Sequence, residues 1–232
     1  MIIHPIKTSI FQEGENLFQF ITNYIKKVKE HSVIVITSKI VALSEKRTAV
    51  IETIQTKEQL IQKESEFAIP TRYAWLTIKG GVVMASAGID ESNANGKLIL
   101  LPKNSFLTAR VIRKKLMQKY RVKQLGVLLT DSRSTPLRVG VSGVAVGYAG
   151  FRGMKDYRGK KDIFGRTFKF SRTNVADSLA TAAVLSMGEG DEQQPLALIE
   201  KAPIKFCHIV HPKELYIDIQ NDMYRPLFDH FL

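Results

Sequence analysis

Cysteine is almost absent: Cys207 is the only one in 232 residues. A single thiol excludes an intramolecular disulfide framework and a thiolate metal cluster, and it points to a reduced, cytoplasmic setting. Long apolar runs are also missing. The longest, 32–37 and 126–130, are far too short to cross a bilayer. The opening Met1-Ile2-Ile3-His4-Pro5 lacks the charged stretch, apolar block and small-residue site of a secretory signal. No internal repeat, coiled-coil heptad or low-complexity stretch occurs. The common nucleotide and hydrolase signatures are absent: no Walker loop, no Gly-x-Gly-x-x-Gly after a strand, no His-Glu-x-x-His and no serine elbow. Any nucleotide bound here sits on a different scaffold.

Acidic residues are scarce where basic ones are dense. The net charge is +12. From Lys103 to Arg172 there are 18 Lys and Arg against Asp131, Asp156 and Asp162. That field suits anions, whether nucleic acid, nucleoside triphosphate or a polycarboxylate, although part of any basic excess is solvated surface. Apolar content is ordinary, and the length suffices for one large domain or two small ones.

The patterning predicts an amphipathic helix over 15–29, a buried strand over 33–36 and a polar helix over 57–67. Leu76 to Ala85 reads as two strands broken at Gly80-Gly81, and Lys97 to Leu101 as a strand stopped by Pro102. Thr108 to Tyr120 is a helix expected to turn Val111, Ile112, Leu116 and Tyr120 inward. Gln124 to Thr130 is a strand, and Leu137 to Gly150 is a glycine-rich strand with bulges, open to close approach. A charged loop follows over 156–166, an alanine-rich helix over 174–187 ending at Gly188, and a strand over 196–199. Short strands and an amphipathic turn near 224–231 close the tail; His208 and His211 fall in a strand-like run. Strands outnumber helices without regular alternation, which favours an α+β fold with mixed, largely antiparallel sheets and packed helices. The chain is taken as a single domain over 1–232, with two subdomains left open.

Three carboxylates stand out. Asp90 follows Gly88-Ile89, Asp131 ends an apolar strand beside Ser132, and Glu189 lies between Gly188 and Gly190. Oxygen donors of this kind suit hard divalent cations, which in turn hold phosphates. Turn-forming and helix-capping acids are the alternative reading of the same spacing. Ser38 and Lys39 follow the buried strand, where a lysine can neutralise phosphate. Arg138, Arg152, Lys155, Arg158 and Arg166 could clamp an anion, or simply pair with Asp156 and Asp162.

Taken in order, eight stretches resemble the γ-glutamyl ligase family typified by coenzyme F420-0:L-glutamate ligase. They are Thr37-Ser38-Lys39-Ile40-Val41, Ala87-Gly88-Ile89-Asp90-Glu91-Ser92-Asn93, Leu129-Thr130-Asp131-Ser132, Gly143-Val144-Ala145-Val146-Gly147, Asp156-Tyr157-Arg158-Gly159, Asp162-Ile163-Phe164-Gly165-Arg166, Val175-Ala176-Asp177 and Met187-Gly188-Glu189-Gly190. The resemblance implies an α+β enzyme that joins L-glutamate to a carboxylate-bearing cofactor at the expense of GTP or ATP, through an acyl phosphate. It implies catalytic roles for Asp90, Asp131 and Glu189. One Mg2+ or Mn2+ ion would fall on Asp90 and Asp131, a second on Ser132 and Glu189. Nucleotide contacts would fall on Thr8 to Phe11, Ser38, Lys39, Asn93 and 187–194, including Gly188, Gly190 and Asp191. A homodimer in the cytoplasm, without membrane or nucleic-acid partners, is also implied. Leu43 stands where the family has a nucleotide-contacting lysine, and Lys103-Asn104-Ser105-Phe106 and Ser134-Thr135-Pro136-Leu137-Arg138 depart from its pattern. These departures resemble a divergent bacterial branch, for which folate glutamylation is the alternative activity. A lapsed enzyme that binds nucleic acid or another anion is the alternative of a different class.

Overall fold

Every residue from Ser32 to Ile36 is buried, so the sheet they belong to is covered on both faces. The computed structural model describes residues 1–50 and 53–228. The chain begins with strand β1 (Ile2–Ile6), helix α1 (Leu17–Tyr24), strand β2 (Ser32–Thr37), helix α2 (Ser38–Ser44), strand β3 (Thr48–Val50) and helix α3 (Ile54–Glu64). Strands β4 (Phe67–Pro70), β5 (Trp75–Lys79), β6 (Val82–Ala85) and β7 (Lys97–Ile99) follow. Helix α4 (Ser105–Tyr120) leads into β8 (Leu125–Ser134), β9 (Val141–Ala149), β10 (Met154–Asp156) and β11 (Arg172–Asn174). Helix α5 (Val175–Met187), strand β12 (Leu196–Glu200) and the single turn α6 (Arg225–Phe228) complete it.

The main sheet has the order β1-β12-β2-β8-β9. All its pairs are antiparallel except β2 with β8. Alternation along β2 divides the core. Ile34 and Ile36 face a layer built on α1, α2 and α4, with Phe20, Ile21, Ile112 and Leu116. Val33 and Val35 face α5 and the tail, with Leu179, Ala183, Tyr148 and Phe151. Each such fully buried aliphatic side chain contributes about 1.5–3 kcal/mol. A mixed sheet with helices on both faces, plus smaller antiparallel sheets, is the α+β architecture expected.

Parallel pairing of β2 with β8 requires a crossover, since adjacent parallel strands cannot be joined by a tight turn. Here the crossover is long and carries its own small core: Ile61, Ala87, Ile89, Leu98 and Leu100, packed under β4-β5-β6, β3-β7 and α3. The β5–β6 turn is made by Gly80 and Gly81, both at positive φ (60° and 74°), which glycine adopts without a side-chain clash.

Several boundaries differ from the sequence reading. Helix α1 stops at Tyr24, because Ile25 turns to an extended conformation and the Tyr120 hydroxyl takes its carbonyl. Helix α2 was not expected; it buries Ile40, Val41 and Ala42 directly after β2. Strands β1, β3 and β4 are too short to show periodicity. Helix α3 starts earlier, where Thr53 accepts from Thr56 N–H, and ends before Phe67, which belongs to β4. In α4 the buried residues are Ala109, Ile112 and Leu116, and Val111 is exposed. Among the described residues, the tail beyond β12 forms no strand apart from a bridge between Phe206 and Phe151, so His208 and His211 lie in irregular chain. Of the expected final turn, 225–228 is helical and 229–231 lies outside the described residues. No described helix is long and apolar enough to cross a membrane.

Candidate active site

Strand β8 runs past Thr130 to Ser134, so Asp131 and Ser132 lie within a strand and not at its end. A bulge precedes them. Leu129 pairs with Gly147 but Thr130 pairs with Ala145, leaving Val146 of β9 unpaired. Such a bulge re-aims the side chains that follow it. Asp131 is thereby brought beside Ser38 at the start of α2, and both line the same cleft.

Asp90 comes from the crossover. A tight turn over Ser86–Gly88, with Ala87 at φ 57°, precedes it, and Thr77 locks that turn by accepting from Ala87 N–H at 2.8 Å. Asp90 then bridges to Ile99 of β7 through both backbone groups. Its Oδ2 lies 2.7 Å from Lys39 Nζ, and Oδ1 accepts from Ser92 N–H at 2.7 Å. Burial alone would raise its pKa, but Lys39 and Ser92 outweigh it and hold the carboxyl below the usual range. Asp131 goes the other way. Burial pushes it up to about 7; the Ser132 N–H opposes this, and the nearby Asp90 charge adds to it. Two neighbouring carboxylates with opposite shifts, one desolvated and one paired with a lysine, mark a candidate functional site.

Helix α5 delivers the third acid. It ends at Gly188 (φ 86°), and Glu189 follows, accepting a hydrogen bond from the Ser132 hydroxyl. The next turn is tied down by Gly190 N–H on Glu192 and by Asn93 Nδ2, which donates to the Gly190 carbonyl at 3.2 Å.

These residues share one cleft of about 830 Å³. Asp90, Asp131, Ser132, Glu189, Ser38, Lys39, Asn93, Gly188, Gly190 and Asp191 all line it, as do Thr8 to Phe11 and Leu43. Its ionisable lining is six carboxylates (Glu13, Asp90, Asp131, Glu189, Asp191 and Glu192) against Lys39 and Lys97. Both lysines are already paired, with Asp90 and Glu13. The cleft is thus acidic in a basic protein. None of the Lys and Arg between 103 and 172 lines it, so an anion clamp by Arg138, Arg152, Lys155, Arg158 and Arg166 does not fall in this cleft within one chain. Those side chains lie mostly on the outer surface, and Arg158 folds back onto Asp156 at 2.6 Å.

Two lining atoms stand out, one on Gln194 within the expected nucleotide segment 187–194 and one on Thr130, to which the sequence reading gave no role. Thr130 Oγ1 and Gln194 Oε1 are buried without a hydrogen-bond partner among the described residues. The only signal for Thr130 was its place in the Thr-Asp pair.

The donors are all oxygen, the chemistry of hard cations. Among the described residues no group of three or more His, Cys, Asp or Glu is gathered as a metal cage. The donors come as two pairs, Asp90 with Asp131 and Ser132 with Glu189. A pair of protein oxygens completed by water and substrate phosphate is the usual way Mg2+ is held, so the residues fit such ions.

The model of the family described as F420-0:Gamma-glutamyl ligase matches residues 5–201. The chain belongs to this family. Coenzyme F420:L-glutamate ligase of Methanococcus maripaludis (strain C6) is 33% identical over 231 residues, covering 92% of each chain. The protein of that name from Methanosarcina mazei is 31% identical over 211 residues, 83% of this chain and 82% of its own. That from Methanopyrus kandleri is 37% identical over 140 residues, 60% and 55% of the two. Within the γ-glutamyl ligase family match, all the stretches that carry the cleft are included, from Thr8 to Gln194. Of the departures only Leu43 lines the cleft; Asn104 caps α4, and 134–138 spans the exposed end of β8 and the turn that follows it.

Proposed function

We propose that this ligase joins the amine of L-glutamate to a carboxylate of F420-0 by amide formation, driven by GTP or ATP in the 830 Å³ cleft. The carrying observation is the convergence of Asp90, Asp131, Ser132 and Glu189, from the crossover, β8 and the end of α5, into one acidic cleft. Its two lysines are outnumbered by six carboxylates, so the cleft as a whole is negatively charged and a triphosphate needs added cations there. Asp90 and Asp131 would hold one Mg2+ or Mn2+ ion, and Ser132 and Glu189 a second. When bound, such ions offset the charge on the transferring phosphoryl group.

The chain's own residues supply the rest. Lys39 holds Asp90 charged and lies at the start of α2 as a point charge for phosphate. The turn over 187–194, pinned by Asn93, and the segment Thr8 to Phe11 form the walls that orient the nucleotide. The acceptor carboxylate attacks the γ-phosphorus, the bond to the β-phosphate oxygen breaks, and the nucleoside diphosphate leaves. The glutamate amine then attacks the acyl phosphate carbon, phosphate departs, and the amine loses a proton.

Glutamate incorporation with F420-0 and, in parallel, with dihydrofolate and tetrahydrofolate, each with GTP and ATP, tests the acceptor and the nucleotide. Incorporation into folate alone would replace F420-0 as acceptor and leave the site assignment standing. Asp131→Asn is expected to abolish nucleotide turnover while the protein keeps its melting temperature; unchanged turnover sinks the reading. Nucleotide with Mn2+ should also raise the melting temperature of the wild type, by linkage. Steeply salt-dependent RNA binding without that rise would favour the nucleic-acid alternative.

A further inference from the structure

Strand β9 supplies no proposed ligand itself, yet it pairs with Asp131 through Val144 and with Ser132 through Gly143, and it carries the bulge that aims them. The loss of pairing at Val146 leaves the neighbouring Ala145 N–H to find another acceptor. It finds Asp177 Oδ1, at 2.9 Å, in the first turn of α5. The other oxygen of Asp177 accepts from Asn174 Nδ2 at 2.7 Å and faces Arg133 Nη2 at 3.6 Å. Arg133 is two residues beyond Asp131. One turn further along α5, the Thr181 hydroxyl donates to the Gly143 carbonyl at 2.8 Å. Gly143 is the residue paired with Ser132. Between these bonds the helix lies directly on the strand: a Cβ on Gly143 would come within 2.4 Å of the Ala180 carbonyl oxygen.

The same helix ends at Met187 and hands the chain to Glu189. From Asp177 to Met187 is about 15 Å of helix at 1.5 Å per residue, and Glu189 follows two residues on. One rigid rod therefore fixes both halves of a donor pair. Its first turns set β9, and through it Ser132. Its C-terminal end sets Glu189, which accepts the Ser132 hydrogen bond.

We infer that Asp177 and Thr181 are positioning residues for the proposed cation site, locking the β9 bulge to α5 so that Asp131 and Ser132 meet Glu189 in register. This rests on the reading of those three residues as cation ligands. Neither Asp177 nor Thr181 lines the cleft, so neither acts by touching substrate.

The test measures Mn2+ binding by calorimetry or electron paramagnetic resonance, without substrate. It uses the full chain and the variants Asp177→Ala, Asp177→Asn, Thr181→Val and Asp131→Asn. Asp177→Ala and Thr181→Val are each expected to weaken Mn2+ by roughly tenfold, the scale seen when groups that orient metal ligands are lost. Asp177→Asn keeps an oxygen for Ala145 N–H and is expected to restore affinity to within about threefold, still on that scale. Amide exchange in 141–149 should quicken in Asp177→Ala and not in Asp177→Asn. A purely structural role would lower the melting temperature and leave Mn2+ affinity of the folded protein unchanged. Wild-type affinity in both Asp177→Ala and Thr181→Val, with binding lost in Asp131→Asn, overturns the clamp alone. Wild-type affinity in Asp131→Asn overturns the ligand assignment and the clamp with it. Where Asp177→Ala does not fold, the near-isosteric Thr181→Val decides by the same measure.

Discussion

Lys39 places its ammonium 2.7 Å from Asp90 Oδ2 and also donates to the Ser92 carbonyl and hydroxyl. It therefore competes for the Asp90 carboxylate with any divalent ion that would bind there. Removing its charge has two effects of opposite sign. Asp90, relieved of its counter-charge, attracts a free divalent ion more strongly. The triphosphate loses a point charge and binds less well. Lys39→Met is expected to tighten Mn2+ alone and to weaken nucleotide with Mn2+, each by about tenfold, the equivalent of one pKa unit of charge interaction. Calorimetry in the two formats checks it, and changes of the same sign would contradict that competition. At this scale the sequence was informative in kind but not in geometry. Asp90, Asp131 and Glu189 were visible as acids beside glycine or at strand ends, where turn acids look the same; only their order along the chain favoured ligands. The Lys39–Asp90 pair joins positions 51 residues apart, and no local pattern encodes it.

Helix α3 shows how an element outside the cleft lining keeps the crossover in shape. Its Glu64 accepts from Arg47 at 2.7 Å and from Lys79 at 2.6 Å, tying the helix to the entry of β3 and to β5. Burial would raise the Glu64 pKa, but Lys79 and Arg47 outweigh it and leave it lowered. Folding thus favours loss of the Glu64 proton. The stabilisation is fully present above the ordinary value of 4.5 and is lost as pH falls through the lowered folded value. Glu64→Gln is expected to cost about 1–3 kcal/mol at pH 7, the scale of hydrogen bonds to charged groups. The gap between wild type and variant should close on acidification below about 4.5. Urea unfolding of both proteins over that range measures it, and a gap independent of pH would exclude the ion pairs as its source. Elements with a strong local signature were legible: the Gly80-Gly81 hairpin, the alanine-rich α5 ending at Gly188, and the bulged β9. Helix α2 was not, because seven residues continuing straight from a buried strand show no period of their own. The extension of β8 through Asp131 was hidden for a related reason. Polar residues in the last part of a strand that faces a cleft read as a loop.

Across the whole molecule, the second face of the sheet is completed by chain beyond the family match. That match ends at residue 201, but Ile204, Phe206, Val210 and Leu215 pack on the core of Val33, Val35, Tyr148 and Phe151. The Tyr216 ring reaches the β5–β6 turn, where a Cβ on Gly81 would come within 2.5 Å of it. The tail thus touches both the sheet and the crossover that presents Asp90. Its central fastening is Glu214, whose Oε1 accepts from the Tyr148 hydroxyl at 2.7 Å and from Gly153 N–H. Burial and then Glu214 push the Tyr148 phenol up, so that hydroxyl is a committed donor. Glu214→Ala strands two donors at once, one of them on a side chain 1% exposed. Tyr148→Phe removes one donor and leaves the carboxylate its bond from Gly153. The expected cost is about 2–4 kcal/mol for Glu214→Ala and about half that for Tyr148→Phe, since an unsatisfied buried donor costs roughly 1–3 kcal/mol. Glu214→Gln keeps an acceptor oxygen and should fall below both. Chemical denaturation of the three variants ranks them. Equal costs for Glu214→Ala and Glu214→Gln would mean that the tail is held by its apolar contacts alone, with Glu214 incidental to it.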